Sequence, residues 1–154
     1  MAISYEEIDF HKFIQDLSAC CPDQSLCSSC SNSECIIAYA QKCITSCLKN
    51  HVAYVEQDAS CIPCTDMKLY DEVDLATGIA HILQTCRSCG RDHYDQCIIS
   101  IIRNCYEIGL MGETLPYHGS NFRYLNAIHN INPDMATDII REFHNTPPAQ
   151  EAQT

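Results

Sequence analysis

The chain has 154 residues, 46% of them apolar, and a formal net charge of -11. This length is typical of one domain with a sizeable core, and the acidic balance argues against a nucleic-acid partner, because phosphate binding needs a basic face. No segment approaches the roughly 18 consecutive apolar residues of a transmembrane helix, and residues 1–13 lack the basic start of a secretory signal. We therefore expect a cytoplasmic protein without a membrane partner.

Helical periodicity predicts two helices in the first third of the chain. Ser4 and Glu7 have the spacing of a capping box before an apolar stripe, which predicts a first helix over about residues 5–20. Residues 23–33 are rich in Ser, Asn and Cys and predict a loop. The longest helical pattern covers residues 34–55, with every fourth residue on a common stripe. That stripe contains Cys35, Tyr39, Cys43, Cys47, His51 and Val55.

Two further helices are predicted in the middle of the chain. A turn at Cys61-Ile62-Pro63-Cys64 leads to a third helix, which starts at Asp71 and is stopped by Gly90. A fourth helix is expected over about residues 92–110, with Gly112 just beyond its end. The stripe of this helix carries Cys97, Ile101 and Cys105.

The remainder of the chain predicts a short helical pair and a tail. One helix is expected over about residues 121–129, and Asn132-Pro133 supplies an N-cap and a first-turn proline for the second. Residues 146–154 are polar and are expected to be disordered. No segment predicts a strand. The expected fold is all-α: a four-helix bundle with a cysteine-lined interior plus a short C-terminal helical pair, in one domain of residues 1–145.

The same order of cysteine segments occurs twice, with four residues between the CxSC and CII segments in the first copy and seven in the second. In each copy a CxSC segment precedes a CII segment, and a further cysteine stands eight positions after the start of CII. The first copy comprises Cys27, Cys30, Cys35 and Cys43, and the second comprises Cys86, Cys89, Cys97 and Cys105. This recurrence indicates an internal duplication, and thiols at repeated positions suggest a bound metal.

Thiols spread along two helices favour several soft ions over a single ion. A helix rises about 1.5 Å per residue, so Cys35 and Cys43 lie about 12 Å apart and cannot share one ion. Such a column of thiols suits Cu(I), which accepts two or three thiolates, better than Zn(II), which needs four ligands around one point. The candidate ligands are all thirteen cysteines and two nearby histidines: Cys20, Cys21, Cys27, Cys30, Cys35, Cys43, Cys47, Cys61, Cys64, Cys86, Cys89, Cys97, Cys105, His51 and His93.

Other interpretations of the cysteines stay open. Each copy has the four cysteines that an iron–sulfur cluster needs, and Cys21-Pro22 resembles the end of a ferredoxin ligand run, although no CxxCxxC occurs. The pairs at 61/64 and 86/89 have the spacing of a zinc ribbon, but a helix is predicted between them. Disulfides are disfavoured by a reducing cytosol and by the odd number of cysteines. Cysteines that only pack, and a thiol enzyme, complete the alternatives. We expect a metal-binding protein that is not an enzyme.

Two segments carry a family resemblance. Cys43-Ile44-Thr45-Ser46-Cys47-Leu48 and Cys86-Arg87-Ser88-Cys89-Gly90, the latter followed by His93 and Cys97, resemble the cytosolic four-helix-bundle copper storage proteins. The likeness covers residues 27–105 and implies a bundle whose interior thiols hold many Cu(I) ions. That family repeats CxxCxxxC through its last helix, whereas Cys97 and Cys105 stand alone here, which implies a lower capacity. The expected partners are metal ions and a metal-delivery protein, with a homo-oligomer left open.

Overall fold

The computed structural model describes residues 6, 8–20, 35–56, 61–62, 71–89, 97–117 and 120–145. Six helices lie in these ranges: α1 (Phe10–Ala19), α2 (Ile36–Asn50), α3 (Glu72–Cys89), α4 (Ile98–Met111), α5 (Asn121–Ile131) and α6 (Pro133–Asn145). The β pairing in the same ranges is confined to one isolated antiparallel bridge, between Tyr54 and Cys97. The all-α prediction is confirmed for this part of the chain. None of its helices is long and apolar enough to cross a membrane.

Helix α3 lies at the centre of the fold. It packs against α1, α4, α5 and α6, while α2 packs against α1 and α4. Its inner face consists of fully buried aliphatic side chains, and burying each one stabilises the fold by roughly 1.5–3 kcal/mol. These residues are Leu75, Ile79, Ile82 and Leu83. Gly78 lies on the same helix, directly under the ring of Tyr106, so a Cβ at this position would overlap the ring and prevent the close approach of α3 and α4.

The first four helices repeat in order and spacing. Helix α3 starts at Glu72 and α4 at Ile98, each 62 residues after the start of its counterpart, Phe10 for α1 and Ile36 for α2. The residues before these starts match as well, because an aspartate, Asp9 or Asp71, precedes the first helix of each pair and a cysteine precedes the second. The internal duplication predicted from the cysteines therefore extends to two pairs of helices.

Most predicted helix ends have their expected local cause. The Asp71 carboxylate accepts a hydrogen bond from the Val73 amide at 2.8 Å, which fixes the start of α3. Gly112 follows α4 with a φ of 79°, a left-handed conformation that glycine adopts at little cost. Asn132 caps α6 by accepting from the Asp134 amide at 3.1 Å, with Pro133 in the first turn.

Three predicted boundaries are wrong. Helix α1 starts at Phe10 instead of residue 5, because the Asp9 carboxylate accepts from the Lys12 amide at 3.1 Å and caps it there. Helix α2 ends at Asn50 instead of residue 55, because His51 takes a left-handed conformation with a φ of 58°. Helix α4 starts at Ile98 instead of residue 92, because the amide of Ile98 donates to the carbonyl of Ala53 at 2.9 Å. The predicted tail, residues 146–154, lies outside the described residues.

Candidate functional site

The contact between α2 and α4 joins the two copies of the repeat. The methyl group of Ile36, in the first turn of α2, lies against Gly109 in the last turn of α4. At the other end, Ala53 accepts from Ile98, so the segment after α2 meets the start of α4. The two helices are therefore antiparallel, with equivalent residues of the two copies on facing helices.

We call the contact between α2 and α4 the seam. Four buried cysteines belong to it, and we call them the seam thiols. They are Cys43, Cys47, Cys97 and Cys105, with exposed fractions of 8%, 1%, 7% and 0%. Cys43 and Cys105 are close enough for the charge of one to affect the other, and the same holds for Cys47 and Cys97. Cys61, which is exposed, interacts in the same way with Cys43. Each copy thus contributes two thiols to one interface.

Two further contacts fix the sulfur atoms of cysteines at helix ends. The Sγ of Cys47 donates to the carbonyl of Tyr54 at 3.5 Å, and Tyr54 is the residue whose backbone pairs with Cys97. The Sγ of Cys35 accepts from the amide of Ala38 at 3.3 Å and so serves as the N-cap of α2. Cys97 holds the equivalent N-cap position of α4 but makes no side-chain capping bond there. The two equivalent cysteines therefore differ in what their sulfur atoms do.

Burial keeps three of the seam thiols, Cys43, Cys47 and Cys105, protonated at neutral pH by raising the pKa of each. It raises the pKa of Cys47 to about 11, with smaller contributions from Cys43 and Cys97. Burial also raises the pKa of Cys43, although a hydrogen bond with Tyr39 and the charge of Lys42 oppose the rise. The pKa of Cys105 lies well above its usual range for the same primary reason. A metal bound here would have to displace protons from these thiols.

Tyr39 belongs to the site, although its position on the stripe predicted only a core residue. Its side chain is half-buried and forms a hydrogen bond with Cys43. Burial is the main cause that raises the pKa of the Tyr39 hydroxyl, and the nearby thiols Cys43, Cys61 and Cys105 add to it. A tyrosine one turn before a cysteine on a thiol stripe is the signal that could have identified it.

The other predicted ligands are distributed differently. Cys20 is buried at the end of α1 near Tyr106, and Cys86 is half-buried on α3 near Tyr124. His51 is exposed at the end of α2, and because of its left-handed backbone it leaves the stripe on which it was predicted. The remaining candidates lie outside the described residues, or have only their backbone described in the case of Cys89: Cys21, Cys27, Cys30, Cys64, Cys89 and His93.

The described residues alone do not build a site with three or more ligands. No group of at least three Cys, His, Asp or Glu side chains that could hold a metal ion occurs among them. Electrostatic contacts link Cys43 with Cys105 and Cys47 with Cys97 across the seam, and Cys43 with Cys47 along α2. A site of higher coordination number would need cysteines from the rest of the chain.

A buried ionic cluster beside the seam was not predicted. The Nε of Arg103 donates to Oε2 of Glu107 at 3.0 Å, and both side chains are almost completely buried. The same carboxylate accepts from the Tyr124 hydroxyl at 2.5 Å and from the Leu115 amide at 2.9 Å. The guanidinium also lies 5.2 Å from the ring centre of Tyr117. An Arg and a Glu four residues apart in an otherwise apolar helix were the available signal.

This ionic cluster has a structural effect. It ties α4 to the segment after it and to α5, because Glu107 binds residues from both. Burial raises the pKa of Glu107, while the charge of Arg103 and the hydrogen bonds that the carboxylate accepts oppose that rise. The cluster therefore positions the C-terminal helices, and its chemistry differs from that of the paired thiols.

Comparison with known proteins finds no family model that matches the chain and no curated protein or solved structure that is significantly similar to it.

Proposed function

We propose that this protein binds and stores Cu(I) on cysteine thiolates between the helices of a bundle formed by α1 to α4, without catalysing a reaction. The observation that carries the proposal is the placement of the seam thiols: two copies of one sequence repeat bring four buried cysteines to a single helix contact. The proposal includes a cytoplasmic location and delivery of the ion by a partner protein.

The donor atoms favour a soft ion. Thiolate sulfur selects Cu(I), Zn(II) and iron–sulfur clusters over ions that prefer oxygen. Zinc needs about four ligands around one point, whereas the described residues contain no group of three or more potential ligands. Paired thiols satisfy an ion of low coordination number, and Cu(I) is such an ion.

The raised pKa values of three seam thiols argue against a thiol enzyme. Catalytic cysteines have a lowered pKa, since the thiolate is the nucleophile. Here burial raises the pKa of Cys43, Cys47 and Cys105, so the free thiols are poor nucleophiles at neutral pH. Low reactivity without metal suits a protein that holds its thiols ready for an ion.

An iron–sulfur protein is the second candidate. Cys43, Cys61 and Cys105 come from three different segments, and each of them interacts electrostatically with Tyr39, although the three do not form a group that could hold one metal ion. A four-cysteine cluster would need one more ligand from the rest of the chain, and Cys64 follows Cys61 closely in sequence. This arrangement would serve electron transfer or cluster transport.

Titration of the anaerobic apo-protein with Cu(I) in the presence of a competing chelator tests the proposal. We expect several Cu(I) ions per chain, no visible absorption band, and no acid-labile sulfide in protein isolated without added metal. A control variant in which exposed Cys61 is replaced, Cys61→Ser, should retain most of this capacity. A brown protein that contains acid-labile sulfide would favour the iron–sulfur candidate, and a protein that takes up no Cu(I) would overturn the storage function.

A further inference from the structure

We propose that Cys47 and Cys97 form a discrete two-coordinate site for a soft monovalent ion of the Cu(I) type, where the end of α2 meets the start of α4. The inference rests on the proposed function and assigns one site within it. It specifies Cys47 and Cys97 as the ligands, a coordination number of two and a monovalent ion.

The backbone brings the two cysteines together. His51 ends α2 in a left-handed conformation, and the chain turns back along the helix end. Ala53 then accepts from Ile98 at 2.9 Å, while Tyr54 forms the isolated bridge with Cys97. These contacts hold the first residue before α4 against the last turn of α2, which contains Cys47.

The sulfur atoms share the same surroundings. The Sγ of Cys47 lies 3.5 Å from the carbonyl oxygen of Tyr54, the residue whose backbone pairs with Cys97. Cys43, one turn earlier on α2, and Cys97, across the seam, both affect the Cys47 thiol electrostatically. Both side chains are buried, with exposed fractions of 1% for Cys47 and 7% for Cys97. An ion between them would be shielded from water and from soluble competing thiols.

The number of ligands selects the ion. Cys43 also interacts with Cys47, but no three Cys, His, Asp or Glu among the described residues form a group that could hold one metal ion. The four ligands that Zn(II) requires are therefore not assembled there. Cu(I) binds two thiolates in a linear geometry, which a pair can supply. Two thiolates and one monovalent cation carry one net negative charge. Cys97 is the N-cap of α4, where the partial positive charge of the helix end offsets part of that charge.

The repeat supplies a built-in comparison. The residue that corresponds to Cys47 in the second copy, 62 positions later, is Gly109, while Cys97 corresponds to Cys35. The opposite end of the seam, where Ile36 contacts Gly109, therefore has only one thiol of the pair. The sulfur of that thiol, Cys35, caps its own helix by accepting from Ala38. Cys35→Ser is thus the matched control for Cys97→Ser.

One equivalent of Cu(I) added to the anaerobic full-length protein tests the site. We expect X-ray absorption to report two sulfur neighbours for this first ion in the wild-type protein. Cys47→Ser and Cys97→Ser should each weaken its binding at least tenfold against a competing chelator, while Cys35→Ser should leave it unchanged. Far-UV circular dichroism of each variant shows whether weaker binding comes from a lost ligand or from a lost fold. The number of sulfur neighbours in the wild-type protein tests the site without any variant.

The outcomes separate this site from the proposed function. Three or more sulfur neighbours for the first ion would overturn the two-coordinate site. Uptake of several Cu(I) ions by Cys47→Ser and Cys97→Ser with the same affinities as Cys35→Ser would also overturn it, and the storage function would stand. A wild-type protein that binds no Cu(I) would overturn both.

Discussion

Cys47 shows how burial can dominate the acid–base chemistry of a residue. Its thiol is almost completely enclosed, and burial is the largest cause that raises its pKa from 9.0 to about 11. A proton is therefore bound more tightly by the folded chain than by the unfolded chain at this position. Stability from this difference is fully present below pH 9.0 and is lost as the pH rises towards 11.

The resulting prediction concerns alkaline pH. The free energy of unfolding of the apo-protein should fall between pH 9 and pH 11, the window set by the pKa of Cys47. Each unit of pKa difference is worth about 1.4 kcal/mol, so two units correspond to about 2.7 kcal/mol in total. Because titration is incomplete at both ends of the window, Cys47→Ser should reduce the loss between pH 9 and pH 11 by about 2 kcal/mol. Urea unfolding under reducing conditions across this range measures the effect. The exposed Cys61→Ser variant should show the wild-type decline, and an unchanged decline in Cys47→Ser would contradict the prediction.

At the scale of elements, the end of α2 decides where the seam thiols meet. His51 is the one non-glycine residue with a positive φ among the described residues, at 58°. A side chain in this left-handed region costs roughly 1–2 kcal/mol compared with glycine. The turn that follows brings the backbone of Tyr54 to Cys97, so this backbone conformation contributes directly to the geometry of the thiol pair.

His51→Gly tests that conformation. We expect the glycine variant to be more stable than His51→Ala by about 1 kcal/mol, because only glycine adopts the left-handed cap without a steric penalty. Thermal or urea unfolding of both variants measures the difference, and the alanine variant controls for the loss of the imidazole. Equal stabilities would mean that the left-handed conformation does not persist in solution.

The elements differ in how well the sequence predicted them. Gly112, Asp71 and Asn132-Pro133 are local signals, since each residue satisfies the end of its own helix, and the corresponding boundaries were predicted. The start of α4 was not predicted correctly. It depends on the pairing of residues 53–54 with residues 97–98, which are about forty positions apart in the chain. Apolar periodicity contains no information about such a pairing.

The sequence indicated some residues of the candidate site and missed others, as it did for the helix boundaries. The repeat placed Cys43 and Cys105 two turns into equivalent helices, and the structure brings them together across the seam. The loss of His51 from the stripe, and the capping role of Cys35, depend on backbone geometry that spacing does not reveal. Arg103 and Glu107 were missed because charged residues in an apolar helix are ordinarily assigned to its exposed face.

At the scale of the whole molecule, the buried ionic cluster connects the repeated half of the chain to the C-terminal helices. Removing the carboxylate of Glu107 would leave the guanidinium of Arg103 buried without its counter-charge, and would also release Tyr124 and Leu115. Breaking a buried pair in this way typically costs about 3–5 kcal/mol.

Glu107→Ala should therefore destabilise the protein by about 3–5 kcal/mol in urea unfolding. Tyr124→Phe, which removes one hydrogen bond to the same carboxylate, should cost about 1–2 kcal/mol. Asp138→Ala supplies the control, because its ion pair with Arg141 is surface-exposed and such pairs contribute about 0–1 kcal/mol. A loss in Glu107→Ala no greater than that of the control would show that the cluster is not part of the folded core.

The antiparallel contact of α2 and α4 has a consequence for symmetry. Cys43 and Cys105 are equivalent residues of the two copies and interact electrostatically across the contact, which places an approximate two-fold axis between them. A homodimer built on such an axis would show every substitution on both sides of it. Because one chain carries both halves, each side can change alone. Cys47 faces Cys97 at one end of the seam, while Gly109 replaces the equivalent thiol at the other. Fusion of the halves thus allows a single asymmetric thiol pair, which no symmetric dimer of identical halves could contain.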